Sequence, residues 1–151
     1  NSIKILFRYD SIIITNMKES VLSDYKYEIK TPGETLVKEV GLTINAEFME
    51  QIDFELVKRD NSKSYFDCDS LNFPLFVRSR KNGDKFIPFG FYGTKKVKNF
   101  FIDKKIIPED RDKIPIISDS KDNIIWVVGH RIDNRFRITD KTKKILKLEV
   151  K

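Results

Sequence analysis

Strand-length segments separated by turns constrain the fold of this chain more than any other feature of its sequence. Residues 25–29 and Ile145–Val150 alternate polar and apolar side chains with a period of two, which is typical of half-buried strands. Short β-branched or apolar runs between turn residues predict further strands over 11–15, 35–40, 42–46, 55–58, 64–68, 75–78, 116–117, 124–128 and 135–139. The chain is therefore predicted to be rich in β-structure.

One segment, residues 94–102, has the periodicity of a helix. At about 100° per residue, the apolar side chains of Val97, Phe100 and Phe101 lie on one face and lysines on the opposite one. Thr94 is predicted to cap its start, because a threonine hydroxyl can accept a hydrogen bond from a backbone N–H of the first turn. The predicted fold class is α+β and β-rich, with one clear amphipathic helix near residues 94–102.

The charge of the chain is divided unevenly between its two halves. The whole chain carries a formal net charge of +6. Residues 1–70 hold nine Lys/Arg against thirteen Asp/Glu, whereas residues 71–151 hold twenty against ten. A positive field confined to one part of a chain indicates a polyanionic partner such as a nucleic acid.

Groups that could carry catalysis or bind a metal are scarce in the sequence. Cys68 and His130 are the single cysteine and the single histidine, and together they cannot supply a zinc site. Residues 90–95 contain two glycines and a lysine but lack the Gly-Lys-Ser/Thr ending of a phosphate-binding loop. We therefore predict no catalytic residue, no metal and no cofactor in this chain.

The cysteine content and the hydropathy also bear on the location of the protein. A lone cysteine cannot form an internal disulfide, which favours a reducing, cytoplasmic setting. The longest apolar runs have the length of strands, so no membrane partner is expected.

A basic segment from Arg78 to Arg111 carries the strongest indication of binding. It holds ten Lys/Arg against four Asp/Glu, and clustered cations bind phosphodiesters because they release counterions. Asp84 and Asp103, which lie within it, are predicted to be turn and salt-bridge residues. The alternatives to RNA binding are that these basic residues form a solvated helix face or surface salt bridges. The candidate RNA-binding residues are Arg78, Arg80, Lys81, Lys95, Lys96, Lys98, Lys105 and Arg111, extended by Arg131 and Arg135.

The aromatic residues of the same segment admit two interpretations. Exposed aromatic rings can stack on unpaired bases. Phe100 and Phe101 share the apolar helix face with Val97, however, so both are predicted to be core residues that hold the cations in place. The cations are thus expected to bind the RNA, with most of the aromatic residues beneath them.

Several motifs of the second half resemble one family. Residues 78–88 read RSRKNGDKFIP and resemble the RSRKxGDxFxP signature of the C-terminal domain of tRNA(Ile)-lysidine synthetase. In the same order, residues 93–98 resemble its GxKKLK helix start and residues 125–131 its IxWVxGxR motif. Residues 100–108 resemble FFIDxKIP, with one additional residue before the proline. The resemblance covers roughly residues 70–150, and residues 25–42 match more loosely.

The resemblance implies a non-catalytic, tRNA-binding role for this chain. Enzymes of the family use ATP to attach lysine to the wobble cytidine of isoleucine tRNA, with an ATP-binding loop in an N-terminal domain. That loop is absent here, so the chain alone is expected to be inactive. The family's C-terminal domain grips the tRNA acceptor stem and has a β-sandwich-like fold shared with a module of the phenylalanyl-tRNA synthetase β chain. We accordingly expect residues 1–20 to be a connector to an upstream domain and residues 21–151 to be the C-terminal tRNA-binding domain.

Two other roles remain open from the sequence. The chain can be a structural module without direct RNA contact, which packs on the enzyme's N-terminal catalytic domain or holds a homodimer together. It can also be a polyanion binder with no preference for tRNA.

Overall fold

The computed structural model describes residues 3–7, 12–16, 23–53, 55 and 60–151. Its strands are β1 (Ile3–Phe7), β2 (Ile12–Asn16), β3 (Lys26–Glu28), β4 (Gly33–Val37), β5 (Leu42–Met49), β6 (Lys63–Asp67), β7 (Phe76–Arg78), β8 (Lys85–Phe86), β9 (Lys95–Lys96), β10 (Ile116–Ser118), β11 (Ile124–Val127), β12 (Arg131–Ile132) and β13 (Ile145–Val150). Helical segments are α1 (Val97–Asp103) and α2 (Pro108–Arg111), together with 3-10 turns over Cys68–Ser70 and Asn134–Phe136. Within the described ranges, no helix is long and apolar enough to cross a membrane. The prediction of a β-rich α+β chain with one main helix is confirmed.

Two antiparallel sheets form the body of the described structure. One has five strands in the order β12-β11-β10-β7-β3, and the other has four in the order β4-β5-β13-β6. In the second sheet, Leu146 of β13 lies opposite Phe48 of β5 on one side and Phe66 of β6 on the other. The last strand of the sequence therefore lies inside a sheet that is otherwise built from the first half of the chain.

The two sheets pack face to face around one apolar core. Phe66 and Trp126 come from different sheets, and their ring centroids lie 6.4 Å apart. Ile44, Ile117 and Leu146 are fully buried in the same cluster. This is the β-sandwich-like arrangement that the sequence motifs imply.

A second apolar cluster lies on the other face of the five-stranded sheet. Val97, Phe100 and Phe101 of α1 pack there with Phe86 and Ile116. Because β10 is covered on both faces, it consists entirely of buried residues. Helix α1 and the β8–β9 ribbon thus form a third layer, and the predicted apolar face of the helix is confirmed.

The helix begins later than predicted. Lys95 and Lys96 form β9 and pair with Phe86 and Lys85 of β8, so α1 begins at Val97. The N-cap position is Lys96, which makes no side-chain capping hydrogen bond. The predicted start and cap at residue 94 are wrong because a pairing with a strand ten residues earlier in the chain holds 95–96 extended.

The predicted strand over residues 135–139 is also wrong. Asn134–Phe136 is a 3-10 turn, and the carboxylate of Asp133 caps it by accepting a hydrogen bond of 2.8 Å from the backbone N–H of Arg135. Of the strand predicted over 55–58, only Glu55 is described, and it is helical rather than extended. The connector predicted over 1–20 is described only at β1 and β2, which pair as an antiparallel ribbon.

Candidate nucleic-acid interface

Arg78 is buried at the end of β7. Its side chain is 2% exposed, and its guanidinium makes two hydrogen bonds to Asp84, of 2.9 Å from Nη2 and 3.0 Å from Nη1. Its Nε also donates to Asp122 at 3.3 Å. The Asp84 carboxylate further accepts a hydrogen bond of 2.8 Å from the backbone N–H of Lys81. Arg78 therefore holds the turn 81–84 from inside the protein, and we reassign it from contact with a ligand to support of this turn.

Four more of the candidate cations lie within ion-pair distance of a carboxylate. The pairs are Arg80 with Asp112 at 3.0 Å, Lys81 with Asp122 at 3.4 Å, Arg135 with Asp133 at 3.0 Å, and Lys95 with Asp103. Arg135 is held most firmly, because Asp133 is fully buried and accepts from its backbone N–H, Nε and Nη2. The prediction that Asp84 and Asp103 are salt-bridge residues is confirmed.

Lys85, Lys96 and Lys98 form an exposed group of cations, which we call the lysine cluster. Lys85 and Lys96 are directly opposed in the β8–β9 ribbon. The side chains of directly opposed residues share one face, with Cβ atoms about 5 Å apart. Lys98 follows in the first turn of α1, and all three side chains are exposed. Among the residues that the structure describes, no carboxylate lies within ion-pair distance of any of the three.

Lys105, Arg111 and Arg131 likewise have no carboxylate partner in the described part of the chain. Arg131 is half-buried, and its guanidinium lies 5.7 Å from the ring centroid of Phe100, which ties it to the helix layer. The Nε of Arg111 donates to the carbonyl of Ile106 at 2.9 Å, whereas Lys105 is exposed at the end of α1. The structure thus divides the ten candidates into those that are paired internally and those that are not.

The aromatic residues of the basic segment divide in the same way. The buried ones are Phe86, Phe100 and Phe101. Phe89, Phe91 and Tyr92 are 48%, 46% and 105% exposed in the loop 89–92, which we call the aromatic loop. The prediction that most of these aromatic residues lie beneath the cations is therefore wrong for these three. The sequence held a signal for this exposure, because glycines flank Phe91 and Tyr92 and glycine favours loops with positive φ. In the structure Gly90 and Gly93 adopt φ values of +90° and +141°.

A cavity of about 440 Å³ opens between the edges of the two sheets. Strand β6 is an edge of the four-stranded sheet and β12 is an edge of the five-stranded sheet. Tyr65 of β6, Arg131 of β12 and Phe89 of the aromatic loop line it, with Trp126 of β11. Of these, sequence analysis proposed only Arg131 as a binding residue, because the other side chains come from segments far apart in the chain.

Metal binding and thiol reactivity find little support in the described residues. No group of three or more His, Cys, Asp or Glu side chains that could hold a metal ion is present there. Desolvation raises the pKa of the Cys68 thiol, which disfavours a reactive thiolate. Desolvation, together with the charge of Lys104, lowers the pKa of His130, so its imidazole is neutral near pH 7.

Comparison with known protein sequences gives one consistent family. The family of TilS substrate C-terminal domains matches residues 75–149. The tRNA(Ile)-lysidine synthase of Caldanaerobacter subterraneus subsp. tengcongensis is 35% identical over 147 residues, which are 97% of this chain and 31% of that protein. The tRNA(Ile)-lysidine synthase of Clostridioides difficile is 38% identical over 142 residues, which are 92% of this chain and 30% of that protein. The chain thus spans about a third of the length of these curated relatives.

Comparison with solved structures agrees with the sequence matches. A crystal structure of a TilS C-terminal domain has a TM-score of 0.75 and 29% identity, covering 85% of this chain and 97% of that one. An N-terminal fragment of the phenylalanyl-tRNA synthetase β-subunit from Pyrococcus horikoshii has a TM-score of 0.51 at 19% identity, covering 58% of this chain and 27% of that one, and shares the fold. The sequence matches and the structural matches thus agree: the domain that carries the motifs of residues 78–131 has the β-sandwich described above. The chain therefore belongs to the tRNA(Ile)-lysidine synthase family, of which it carries the TilS substrate C-terminal domain.

Proposed function

We propose that this chain binds the acceptor stem of isoleucine tRNA, as the C-terminal part of a tRNA(Ile)-lysidine synthase. The observation that carries the proposal is the lysine cluster. Lys85 and Lys96 are directly opposed on one face of a two-stranded ribbon, without a carboxylate partner among the described residues.

The energetics of the cluster favour a polyanionic ligand. Directly opposed like charges destabilise a strand pair by roughly 0.2–1 kcal/mol. Asp84 precedes Lys85 and could relieve this repulsion, but its carboxylate is engaged by Arg78 and by the backbone of Lys81. A phosphodiester backbone bound across Lys85 and Lys96 would neutralise both charges and release their counterions. The fold therefore maintains a site of positive potential that a nucleic acid can neutralise.

The placement of the cluster supports a duplex backbone as its ligand. Lys98 extends the positive surface from the ribbon onto α1, and Val97 is fixed there by its backbone hydrogen bond of 2.9 Å to the carbonyl of Asp84. Strand and helix lysines are thus held in one rigid layer over the core formed by Phe86, Phe100 and Phe101. Lysine presents a compact charge that contacts phosphates without reading sequence. The preference for tRNA over other RNA rests on the family to which the chain belongs.

In this proposal the chemical reaction takes place outside this chain. ATP and lysine are substrates of an N-terminal catalytic domain of the enzyme, which this chain serves as a binding partner. The contribution of the chain is binding energy and orientation, which place the tRNA relative to that domain. The cytoplasm is the setting in which such an enzyme meets its tRNA.

Charge reversal within the cluster tests the proposal. The Lys96→Glu/Lys98→Glu variant of the 151-residue chain is expected to bind isoleucine tRNA at least about tenfold more weakly, because phosphate contacts become repulsive. The matched control is Lys30→Glu/Lys38→Glu, which changes the net charge equally at two exposed lysines on and beside the β4–β5 hairpin of the other sheet. Affinities are measured by fluorescence anisotropy at constant salt.

Other outcomes of the same experiment contradict the proposal. Equal losses in the two double variants would indicate a response to net charge alone. Unchanged tRNA affinity with an altered oligomeric state in size-exclusion chromatography would indicate the structural role. Competition by unrelated duplex RNA at equal strength would indicate a general polyanion binder.

A further inference from the structure

The cavity between the sheet edges is a second site, distinct from the lysine cluster. Its volume of about 440 Å³ lies within the range of roughly 300–1,000 Å³ that is typical of small-ligand pockets. Tyr65 and Ser64 of β6 form one side of it and Arg131 and Ile132 of β12 the other. Because both strands are sheet edges, the cavity is built into the framework of the sandwich.

The walls of the cavity are suited to a flat ring. Among the described residues, three aromatic ones line it, namely Tyr65, Phe89 and Trp126. Trp126 is 1% exposed and belongs to the sandwich core, whereas Phe89 is 48% exposed and belongs to the aromatic loop. Stacking on aromatic side chains favours any nucleobase, because every base has a π-face.

The charges of the cavity favour an anion. Arg131 and Arg137 line it, and neither has a carboxylate partner within the described part of the chain. Their guanidinium groups instead donate to backbone carbonyls, Arg131 to Phe89 at 3.3 Å and Arg137 to Asn134 at 2.7 Å. Each guanidinium carries five N–H donors, so further donors remain for a phosphate.

Asp60, the one carboxylate among the described residues of the lining, is already engaged. Asp60 accepts a hydrogen bond of 2.9 Å from the backbone N–H of Ser62 and pairs with Lys63 at 3.5 Å. These interactions, the hydrogen bonds of Ser62 first, lower the pKa of Asp60, which therefore stays ionised and committed to its own turn. A cationic ligand, such as a free lysine, would meet two arginines and, among the described residues, no unengaged carboxylate.

The rim of the cavity adjoins the helix layer, which also carries the lysine cluster. Phe89 lies in both the cavity wall and the aromatic loop. Arg131 lines the cavity, and its guanidinium lies 5.6 Å from the ring centroid of Phe91 and 5.7 Å from that of Phe100 in the helix layer. Bases inside a duplex are paired and stacked, so only an unpaired nucleotide could reach the aromatic walls.

We infer that this cavity takes one unpaired nucleotide from the single-stranded end of a bound RNA, with its base against Tyr65 and Phe89 and its phosphate at Arg131 and Arg137. The inference rests on the proposed function, because it requires RNA on the adjacent surface. It adds a site that recognises the end of the RNA rather than the backbone of its stem.

The single tryptophan of the chain makes the cavity directly observable. Trp126 is the only source of tryptophan fluorescence in the protein, and it lines the cavity. The probe is a short RNA hairpin with a blunt end, compared with the same hairpin carrying a single-stranded tail. We expect the tailed hairpin to quench Trp126 and to bind at least about fivefold more tightly than the blunt one, because one base is stacked.

Substitutions in the lining test whether the tail enters the cavity. Arg137→Gln and Tyr65→Leu are each expected to abolish the quenching and the gain in affinity from the tail, while the blunt hairpin binds as before. The matched controls are Lys141→Gln, an exposed cation outside the lining, and Phe73→Leu, an exposed aromatic residue outside it. If Tyr65→Leu is poorly folded, Arg137→Gln tests the inference alone, since Arg137 is exposed.

Three results would overturn the inference. If blunt and tailed hairpins bind equally and neither quenches Trp126, the cavity takes no RNA end although the proposed function survives. If neither hairpin binds, both proposals fail. If adenosine monophosphate alone quenches Trp126 as strongly as the tailed hairpin at the same concentration, the cavity takes a free nucleotide and its assignment to the RNA end is wrong.

Discussion

The turn 81–84 and the lysine cluster use the same residue types for opposite purposes. At the turn, the guanidinium of Arg78 is enclosed by the protein and paired with Asp84 and Asp122. In the lysine cluster, Lys85 and Lys96 are exposed and opposed, with no carboxylate partner in the described residues. The two regions adjoin in the sequence, at Asp84 and Lys85. The difference shows that membership of a basic segment does not make a cation available to a ligand; what decides this is whether a carboxylate of the protein already pairs with it.

The turn 81–84 supports the adjacent lysine cluster in two ways. By engaging Asp84, Arg78 removes the one carboxylate that lies next to Lys85 in the chain. It also fixes the turn from which β8 begins, and the Asp84 carbonyl holds the backbone of Val97 at the start of α1. The buried arginine therefore positions the exposed lysines.

The largest effect is expected from a substitution that breaks the buried ion pair of Arg78 and Asp84. Asp84→Ala should lower the free energy of unfolding by about 3 kcal/mol, because removing one partner leaves the buried charge of Arg78 poorly compensated. The control Asp103→Ala removes an ion pair whose carboxylate is exposed, and should cost less than about 1 kcal/mol. Urea denaturation followed by circular dichroism measures both. Equal and small losses would show that Arg78 does not depend on Asp84 and would remove the distinction between the two regions.

A smaller effect on stability is expected from a substitution in the lysine cluster. Lys85→Glu converts a like-charge cross-strand pair into an opposite-charge pair with Lys96. The free energy of unfolding should therefore rise by roughly 0.2–1 kcal/mol, while affinity for RNA falls. Thermal unfolding and RNA binding are measured on the same preparation, with Lys38→Glu as the control. A loss of both stability and binding would contradict the account, because it would mean that Lys85 is part of the framework.

The smallest effect concerns the response to acid. Burial raises the pKa of Asp119, but hydrogen bonds from Asn72, Asn123 and the backbone of Lys121 outweigh it and leave the pKa below its ordinary value. A lowered folded-state pKa stabilises the protein above the unfolded-state pKa of about 4, and this contribution is lost as the pH falls through the folded-state value.

The pH dependence can be assigned with one variant. Wild-type stability should fall below about pH 4 more steeply than that of Asp119→Asn, which cannot ionise at this position. The lysine cluster should be insensitive over this range, because lysine stays protonated well above it. Parallel pH profiles for the two proteins would show that Asp119 does not contribute in the way its hydrogen bonds indicate.

Local patterns predicted the framework of the fold well. Strand β13 was predicted with its observed bounds, and the apolar face of α1 follows from the spacing of Val97, Phe100 and Phe101. Periodicity succeeds there because it reflects one buried face of one element. It failed at the start of α1, where Thr94 was a plausible cap but Lys95 and Lys96 pair with β8 instead.

The candidate site was harder to predict than the fold. The sequence identified the basic segment, but the sorting of its cations depends on carboxylates distant in the chain, as for Arg78 with Asp122 and Arg80 with Asp112. Lys85 was not among the candidates, since its significance lies in the residue opposite it. The cavity combines Tyr65 with Arg131 and Arg137, which only the packing of the two sheets brings together.

The salt dependence of binding tests the central claim most directly. Affinity for isoleucine tRNA is measured over a salt series for the wild-type chain and for a variant with glutamine at the three positions of the lysine cluster, Lys85→Gln/Lys96→Gln/Lys98→Gln. A control carries glutamine at three exposed lysines elsewhere, Lys30→Gln/Lys38→Gln/Lys143→Gln. If each lysine of the cluster contacts a phosphate, the slope of log affinity against log salt should become shallower by about 2.7 in the cluster variant and stay unchanged in the control. The same slope in all three proteins would show that the unpaired lysines do not bind the RNA backbone.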